Sequence, residues 1–299
     1  MPGHNWRGLT HELAHVSWVG AQELMKVFRM GTVQGVKTKA GGEIALEADE
    51  NASAAIARAW TTFLPGIKRM DEEDSSTHAL LAEGGVVGIV DPLDGTGLFQ
   101  RDTVLPKYAP VSGWGNTVCL CDAGVVRVAI IHQIALRQLF YAIEGEGCWW
   151  VTGTDYDAYW ETGDLPEGVR FQIAEVSPPD DGVQALVLGV PSASKMNETS
   201  FDKWMTVRWK MWEFQLLGNE LAAGCAVANT INVLFGKSGY VNIGGGVAWD
   251  LAAAGLCVTE AGGWASTTDG KPLVWDKLKL PILYVRDEVT AKRLLAVLE

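Results

Sequence analysis

The chain has few cysteines in no framework pattern, no long apolar run and no surplus of basic charge. Its five cysteines (Cys119, Cys121, Cys148, Cys225, Cys257) are odd in number, scattered and mostly set in apolar strings, without zinc-ribbon spacing. They read as buried thiols of a reducing compartment, which excludes a disulfide-stapled scaffold. No segment stays apolar for the roughly 18 residues a membrane helix needs, and MPGHNWRGLTHELAH lacks the basic start and apolar core of a secretory signal. A cytoplasmic location without a membrane partner is expected. Twenty-four Lys plus Arg against thirty-six Asp plus Glu leave a net charge of −12, which disfavours nucleic acid as a partner. An anionic substrate would need local positive charge, and metal ions are its obvious source.

What is present suits a sizeable core: 299 residues, 48% of them hydrophobic. Leu13, Val16, Val19, Leu24 and Val27 recur at helical intervals and predict a long helix over about 8–30, broken at Gly31. A second helix is expected from about Asp49, with Asp49 or Asn51 as its cap. The β-branched string Gly85 to Val90 reads as a buried strand that delivers Asp91 to a sheet edge. Strand-like strings at 116–120, 125–132, 138–143 and 148–151 predict an antiparallel sheet. An irregular stretch follows residue 152. Strands are expected at 171–176, 183–190, 231–235, 240–243 and 281–285, with helices near 199–209, 218–229, 250–261 and from Glu288.

Two strings carry chemistry. Asp91-Pro92-Leu93-Asp94-Gly95-Thr96 sets two carboxylates three residues apart around a turn that also offers glycine, a hydroxyl and backbone amides. Hard cations favour oxygen ligands, and amides of such a turn accept phosphate oxygens. Proline at position 92 excludes the related D-x-D-G-T nucleophile of haloacid-dehalogenase-like phosphatases. The second string, Trp249-Asp250-Leu251-Ala252-Ala253 running to Glu260-Ala261-Gly262-Gly263, reads as a helix with Asp250 at its positive end.

In this order and at this separation the two strings resemble the signatures of the inositol monophosphatase family. Lys39 to Asp49, Gly145-Glu146-Gly147-Cys148 and, more weakly, Val190 to Ser194 extend the resemblance over most of the chain. It implies an α+β / α/β fold, a layered αβαβα sandwich of the inositol monophosphatase and fructose-1,6-bisphosphatase type. A division near 153 is expected. Residues 1–152 would form an α+β part with the antiparallel sheet and most metal ligands, and 153–299 an α/β part supplying Asp250 and the substrate pocket.

The implied activity is Mg2+-dependent hydrolysis of a small phosphorylated metabolite, a phosphoric monoester, with two or three ions. Asp91 would bridge two metals, the Leu93 carbonyl and a glutamate would complete the first site, and Asp94 with Asp250 would hold the second. Thr96 would orient the attacking water, and the Gly95 and Thr96 amides would receive phosphate. Glu72, nineteen positions before Asp91, fits the family's glutamate best; Glu73 and Glu83 are the alternatives. Lithium sensitivity is implied as well. Thirteen tryptophans suit core packing first and a dimer face second, and a homodimer is expected.

Departures from the family pattern bear on the substrate. The early aspartate is Glu43 and its threonine Leu46; the usual acid before Trp249 is missing from Asn242 to Ala248; the arginine-containing string survives only as Gln215 to Leu221. Ser194, Lys195, Asn219 and Asn242 are candidate pocket residues. Inositol-phosphate-like esters and sugar phosphates lead, with histidinol phosphate, fructose 1,6-bisphosphate and 3′-phosphoadenosine 5′-phosphate as alternatives. A non-catalytic regulatory member is the reading from another class, weakened by four acidic positions that stay acidic. His11-Glu12-Leu13-Ala14-His15 matches the H-E-x-x-H pattern of zinc peptidases, but it sits on the first helix with no third ligand in a recognisable context.

Overall fold

The computed structural model describes residues 4–38, 44–104, 113–175, 185–188, 205–206, 209 and 225–298. Helix α1, Trp6–Met30, starts where the Asn5 side chain accepts from Gly8 N and stops at Gly31, whose left-handed backbone lets its N–H return to the Phe28 carbonyl. Helix α2 spans Glu47–Phe63. Its cap position falls at Leu46 rather than at Asp49 or Asn51, because the Asp49 carboxylate reaches back to the Leu46 amide at 2.8 Å.

Strands β3 (Lys68–Asp71), β4 (Val86–Asp94), β5 (Gly115–Asp122), β6 (Val125–Gln133), β7 (Gln138–Ile143), β8 (Gly147–Val151) and β9 (Val169–Phe171) form a seven-stranded sheet in chain order. β3 and β4 are parallel and every later pair is antiparallel. β1 (Lys37–Thr38) and β2 (Ile44–Ala45) pair separately. The side chains of the large sheet alternate between two buried faces. Val90, Val118, Leu120, Val128 and Ile130 meet Leu13, Val16, Ile56 and Trp60 of α1 and α2. Ile89, Cys119, Cys121, Ala129 and Ile131 point the other way. Burial on both faces explains why these strands read as continuous apolar strings. The Trp60 ring lies so close to Gly88 that a Cβ there would stand 2.0 Å from it.

The opposite face is covered by α6 (Ala226–Leu234) and α7 (Ala248–Glu260), through Val227, Ile231, Leu251, Ala252 and Cys257. Beyond them lies a four-stranded sheet, β10 (Ala185–Leu188), β11 (Ser238–Val247), β13 (Lys279–Val285) and β12 (Trp264–Thr267) in that order. Helix α8, Glu288–Leu298, closes the stack on Val241, Leu283 and Val285. The result is the expected αβαβα layering. Among the described residues, no helix is long and apolar enough to cross a membrane.

Three local expectations are corrected. Residues 231–234 are the end of α6 and Phe235 its cap, not a strand; the string is too short to show a helical period, and its β-branched Ile231 and Val233 imitate a strand. Gly153–Thr162, expected as irregular, is helix α5, whose Tyr156, Tyr159 and Trp160 share one face and whose Gly163 takes the left-handed C-cap. The strand expected over 171–176 ends at Phe171 and gives way to a 3-10 turn at Ile173–Glu175. Two short helices, α3 (Leu80–Glu83) and α4 (Thr96–Val104), flank β4. The helix expected near 199–209 lies largely outside the described residues, and the one expected near 218–229 begins, within them, only at Ala226.

Between α1, α5 and the sheet runs a buried polar chain. Ser17 Oγ donates to Asn116 Oδ1 at 2.7 Å and faces His132 Nδ1 at 3.2 Å; His132 Nε2 faces the Tyr156 hydroxyl at 2.7 Å. With the Ser17 proton committed to Asn116, the imidazole proton belongs on Nδ1 and Tyr156 donates to Nε2. Burial pushes His132 down to about 3 from 6.5. Its folded-state pKa is depressed, so the stability it contributes is present above 6.5 and is lost as pH falls toward 3. Lowering the pH from about 7 to about 4.5 is therefore expected to remove roughly 2–3 kcal/mol of unfolding free energy through His132. Urea unfolding of the wild type and His132→Gln at both pH values checks this: equal acid losses in the two proteins would contradict it.

Candidate functional site

Strand β4 brings the paired carboxylates to the edge of the large sheet. Asp91 pairs with Thr117 of β5 and Asp94 with Gly115, with an irregularity between them at Pro92-Leu93. Asp91 Oδ1 accepts from Leu93 N at 3.0 Å and so braces the bend. Gly95 then turns with φ +86°, a conformation other residues rarely adopt, and α4 opens at Thr96. The first amides of α4 have no partner within the helix, which is the geometry that accepts an anion.

Each remaining acid arrives by a separate tie to β4 or β5. β3 lies parallel to β4, and the Glu72 amide donates to the Val90 carbonyl at 3.1 Å, one residue before Asp91. Behind it the fully buried Asp71 accepts from Ser53 Oγ and pairs with Arg69, both at 2.9 Å, and also holds the Glu73 amide. Asp71 thus fixes the acidic loop. Asp250, in the first turn of α7, is delivered by Thr117, whose hydroxyl donates to the Trp249 carbonyl at 2.6 Å. Thr117 is the residue paired with Asp91.

Oxygens of Glu72, Asp91 and Asp250 therefore lie within 4.8 Å of one another. Among the described residues this is the only group of three His, Cys, Asp or Glu side chains so placed. Glu83 is instead turned to Lys68 at 2.5 Å, and Glu73 stands outside the group. Among the described residues His11 and His15 gain no third ligand; the His15 ring packs on Trp18 and Phe63.

Burial pushes Asp91 well above the usual carboxylate range, and the charges of Glu72, Asp94 and Asp250 push it further. An all-oxygen donor set in which like charges crowd a buried carboxylate fits a hard divalent cation such as Mg2+, because the cation offsets the cost of ionising them. Asp94 is oriented differently. It is buried and accepts from the Cys225 thiol and from the Ala226 and Val227 amides at the start of α6. Burial raises its pKa and those donors oppose the rise.

Thr96 Oγ1 donates to Asp49 Oδ1 at 3.0 Å, with the Leu93 carbonyl at 3.2 Å. Asp49 was legible as a helix cap and as the end of the Lys39 to Asp49 resemblance, but not as a partner of Thr96, a contact across 47 residues. Cys225 was legible only as a buried thiol. Asn242 sits in β11, with Nδ2 3.4 Å from the Tyr240 hydroxyl and a buried Oδ1 that has no hydrogen-bond partner among the described residues. Tyr240 is itself close enough to feel the charges of Asp250 and Asp94. Gly246, in the glycine run before Trp249, is backed by Leu251, where a Cβ would stand 1.9 Å away. Ser194, Lys195, Asn219, Glu43 and the string Gln215 to Leu221 lie outside the described residues.

Known proteins place this arrangement. Residues 7–298 match the model of the inositol monophosphatase family. A fructose-1,6-bisphosphatase/inositol-1-monophosphatase of Thermotoga maritima is 25% identical over 242 residues, 81% of this chain and 78% of that protein. The structure of the extragenic suppressor protein SuhB from Bartonella henselae superposes with a TM-score of 0.73 at 18% identity, over 97% of this chain and 98% of that one. An "IMPase/NADP phosphatase complexed with Mg2+ and phosphate" gives 0.66 at 16% identity, over 94% and 92%. With the match running through both carboxylate strings and nearly the whole chain, this protein belongs to the inositol monophosphatase family and is a phosphatase of phosphoric monoesters.

Proposed function

We propose that the chain hydrolyses a small phosphate monoester with Mg2+ held by Glu72, Asp91, Asp94, Asp250 and the Leu93 carbonyl. The observation that carries this reading is the convergence of Glu72, Asp91 and Asp250 within 4.8 Å beside the start of α4. Magnesium at these oxygens would neutralise charge on the phosphoryl group and acidify a water for attack.

The chain's own groups do the rest. The Thr96 hydroxyl gives its proton to the Asp49 carboxylate, so its free lone pair faces outward as an acceptor that aligns the attacking water. Glu72 is the carboxylate placed to share that water's proton. The Gly95 and Thr96 amides receive phosphoryl oxygens and favour the charge that builds on them. On the leaving-group side, Asn242 contributes a neutral amide in the segment 242–248 from which the family's usual acid is missing. A neutral acceptor suits an ester whose alcohol portion brings a hydroxyl or amine donor. It does not select a cation. Ser194, Lys195 and Asn219 complete the proposed pocket, and a cytoplasmic homodimer acting on a phosphorylated metabolite is the proposed setting.

A phosphate-release screen over inositol monophosphates, fructose 1,6-bisphosphate, histidinol phosphate and 3′-phosphoadenosine 5′-phosphate, with Mg2+ or EDTA, tests both parts. Release from at least one ester, abolished by EDTA and diminished by millimolar Li+, is expected. Equal release in EDTA would remove the metal from the proposal.

A further inference from the structure

Cys225 is the residue at the site that no carboxylate chemistry requires. It occupies the cap position of α6 with an extended backbone. Its sulfur accepts from the Ala228 amide at 3.4 Å, as a serine oxygen would at such a cap. The thiol proton has a separate acceptor. Sγ lies 2.9 Å from Asp94 Oδ2 and 3.3 Å from the Gly113 carbonyl, and the carboxylate is both nearer and charged. The Ala226 amide donates to Asp94 Oδ1 at 3.1 Å and the Val227 amide to Oδ2. Contact with the loop is close: a Cβ on Gly95 would stand 3.0 Å from Cys225 Cβ. Residues 131 positions apart are thus locked together.

We propose that Cys225 is a positioning residue for Asp94: its S–H, with the first amides of α6, fixes the carboxylate rotamer and so sets how tightly the chain holds Mg2+. The inference rests on the reading of Asp94 as a metal ligand. The Ala226 amide on Oδ1 and the Val227 amide with the thiol on Oδ2, helped by the Gly95 amide, hold the carboxylate in one orientation close enough for its charge to act on Asp91. Without the thiol proton Oδ2 keeps only the Val227 amide from α6, the carboxylate is held less firmly, and cation binding must complete its ordering.

The test is a Mg2+ titration read two ways, by phosphate release and by the Mg2+-dependent rise in melting temperature. Cys225→Ala is expected to raise the half-saturating Mg2+ concentration by about tenfold in both readouts. Cys225→Ser, which keeps a donor, is expected to recover most of that loss. Should Cys225→Ala fail to fold, Cys225→Val fills the same space without a donor and carries the same expectation. In an Asp94→Asn background, Cys225→Ala is expected to add no further change. A Cys225→Ala protein that melts lower yet titrates Mg2+ like the wild type, or a serine variant no better than alanine, would overturn the proposal and leave the metal site standing. A wild type that neither titrates nor releases phosphate with Mg2+ would remove both.

Discussion

Asp91→Asn is expected to lower phosphate release on the order of a thousandfold, about 4 kcal/mol of barrier, while raising the melting temperature of the chelator-treated protein. Asparagine keeps the shape and still offers an oxygen to the Leu93 amide, so the bend of the loop survives. It removes the charge at the centre of the acid group. Asp91 is 1% exposed, and burial first, then the carboxylates of Glu72, Asp94 and Asp250, raises its pKa.

The sign follows directly. A raised folded-state pKa means that the folded chain binds the proton more tightly than the unfolded chain, so stability falls as pH rises from the ordinary value of 3.8 through the raised one. Asparagine has no such loss. In EDTA near neutral pH the variant should therefore melt higher than the wild type, and the difference should shrink on acidification. Near-normal turnover, or a variant that melts lower in EDTA, would contradict the assignment. Asp250→Asn is expected to match the loss of turnover.

Thr96→Val and Asp49→Asn form the second large effect, each expected to cost about a hundredfold or more in kcat with little change in KM. Valine removes the hydroxyl at constant volume. Asparagine at 49 acts differently: its amide can donate to Thr96, reversing the hydrogen bond that points the hydroxyl's proton away from the water site. Thr96→Ser retains the hydroxyl and is the control. Because the Asp49 carboxylate also holds the Leu46 amide, its variant is expected to lose some helix stability too. The kcat and the melting temperature separate the two consequences. A Thr96→Val enzyme within a few-fold of the wild type would show that the hydroxyl does not align the water.

How far the site could be read depended on chain distance. Asp91 and Asp94 were legible because one strand and one turn carry both, and Asp250 because the helix it opens is written in a continuous string. Three acidic candidates, Glu72, Glu73 and Glu83, looked alike. The parallel pairing of β3 with β4 separates them, bringing the Glu72 amide onto Val90 and leaving Glu83 beside Lys68. Neither Ser53 nor Arg69 gave notice that Asp71 would anchor the loop, since their meeting depends on how α2 lies over the sheet.

Local pattern likewise predicted α1, the antiparallel strands and the last helix, where hydrophobic period and turn residues agree. It misread 231–235, because five residues with β-branched Ile231 and Val233 are too few to show the helical period that the whole of Ala226–Leu234 carries. The sequence alone determined the layered fold, through its resemblance to a known family, the strand that carries Asp91 and the helix that opens near Asp250. All three arise from residues that are neighbours in the chain or from strings long enough to be distinctive. Only the tertiary structure decided which glutamate approaches Asp91, that Asp49 orients Thr96 and that Cys225 holds Asp94. Those pairs are chosen by the packing of helices on a sheet, and a one-dimensional string carries no distance between its parts.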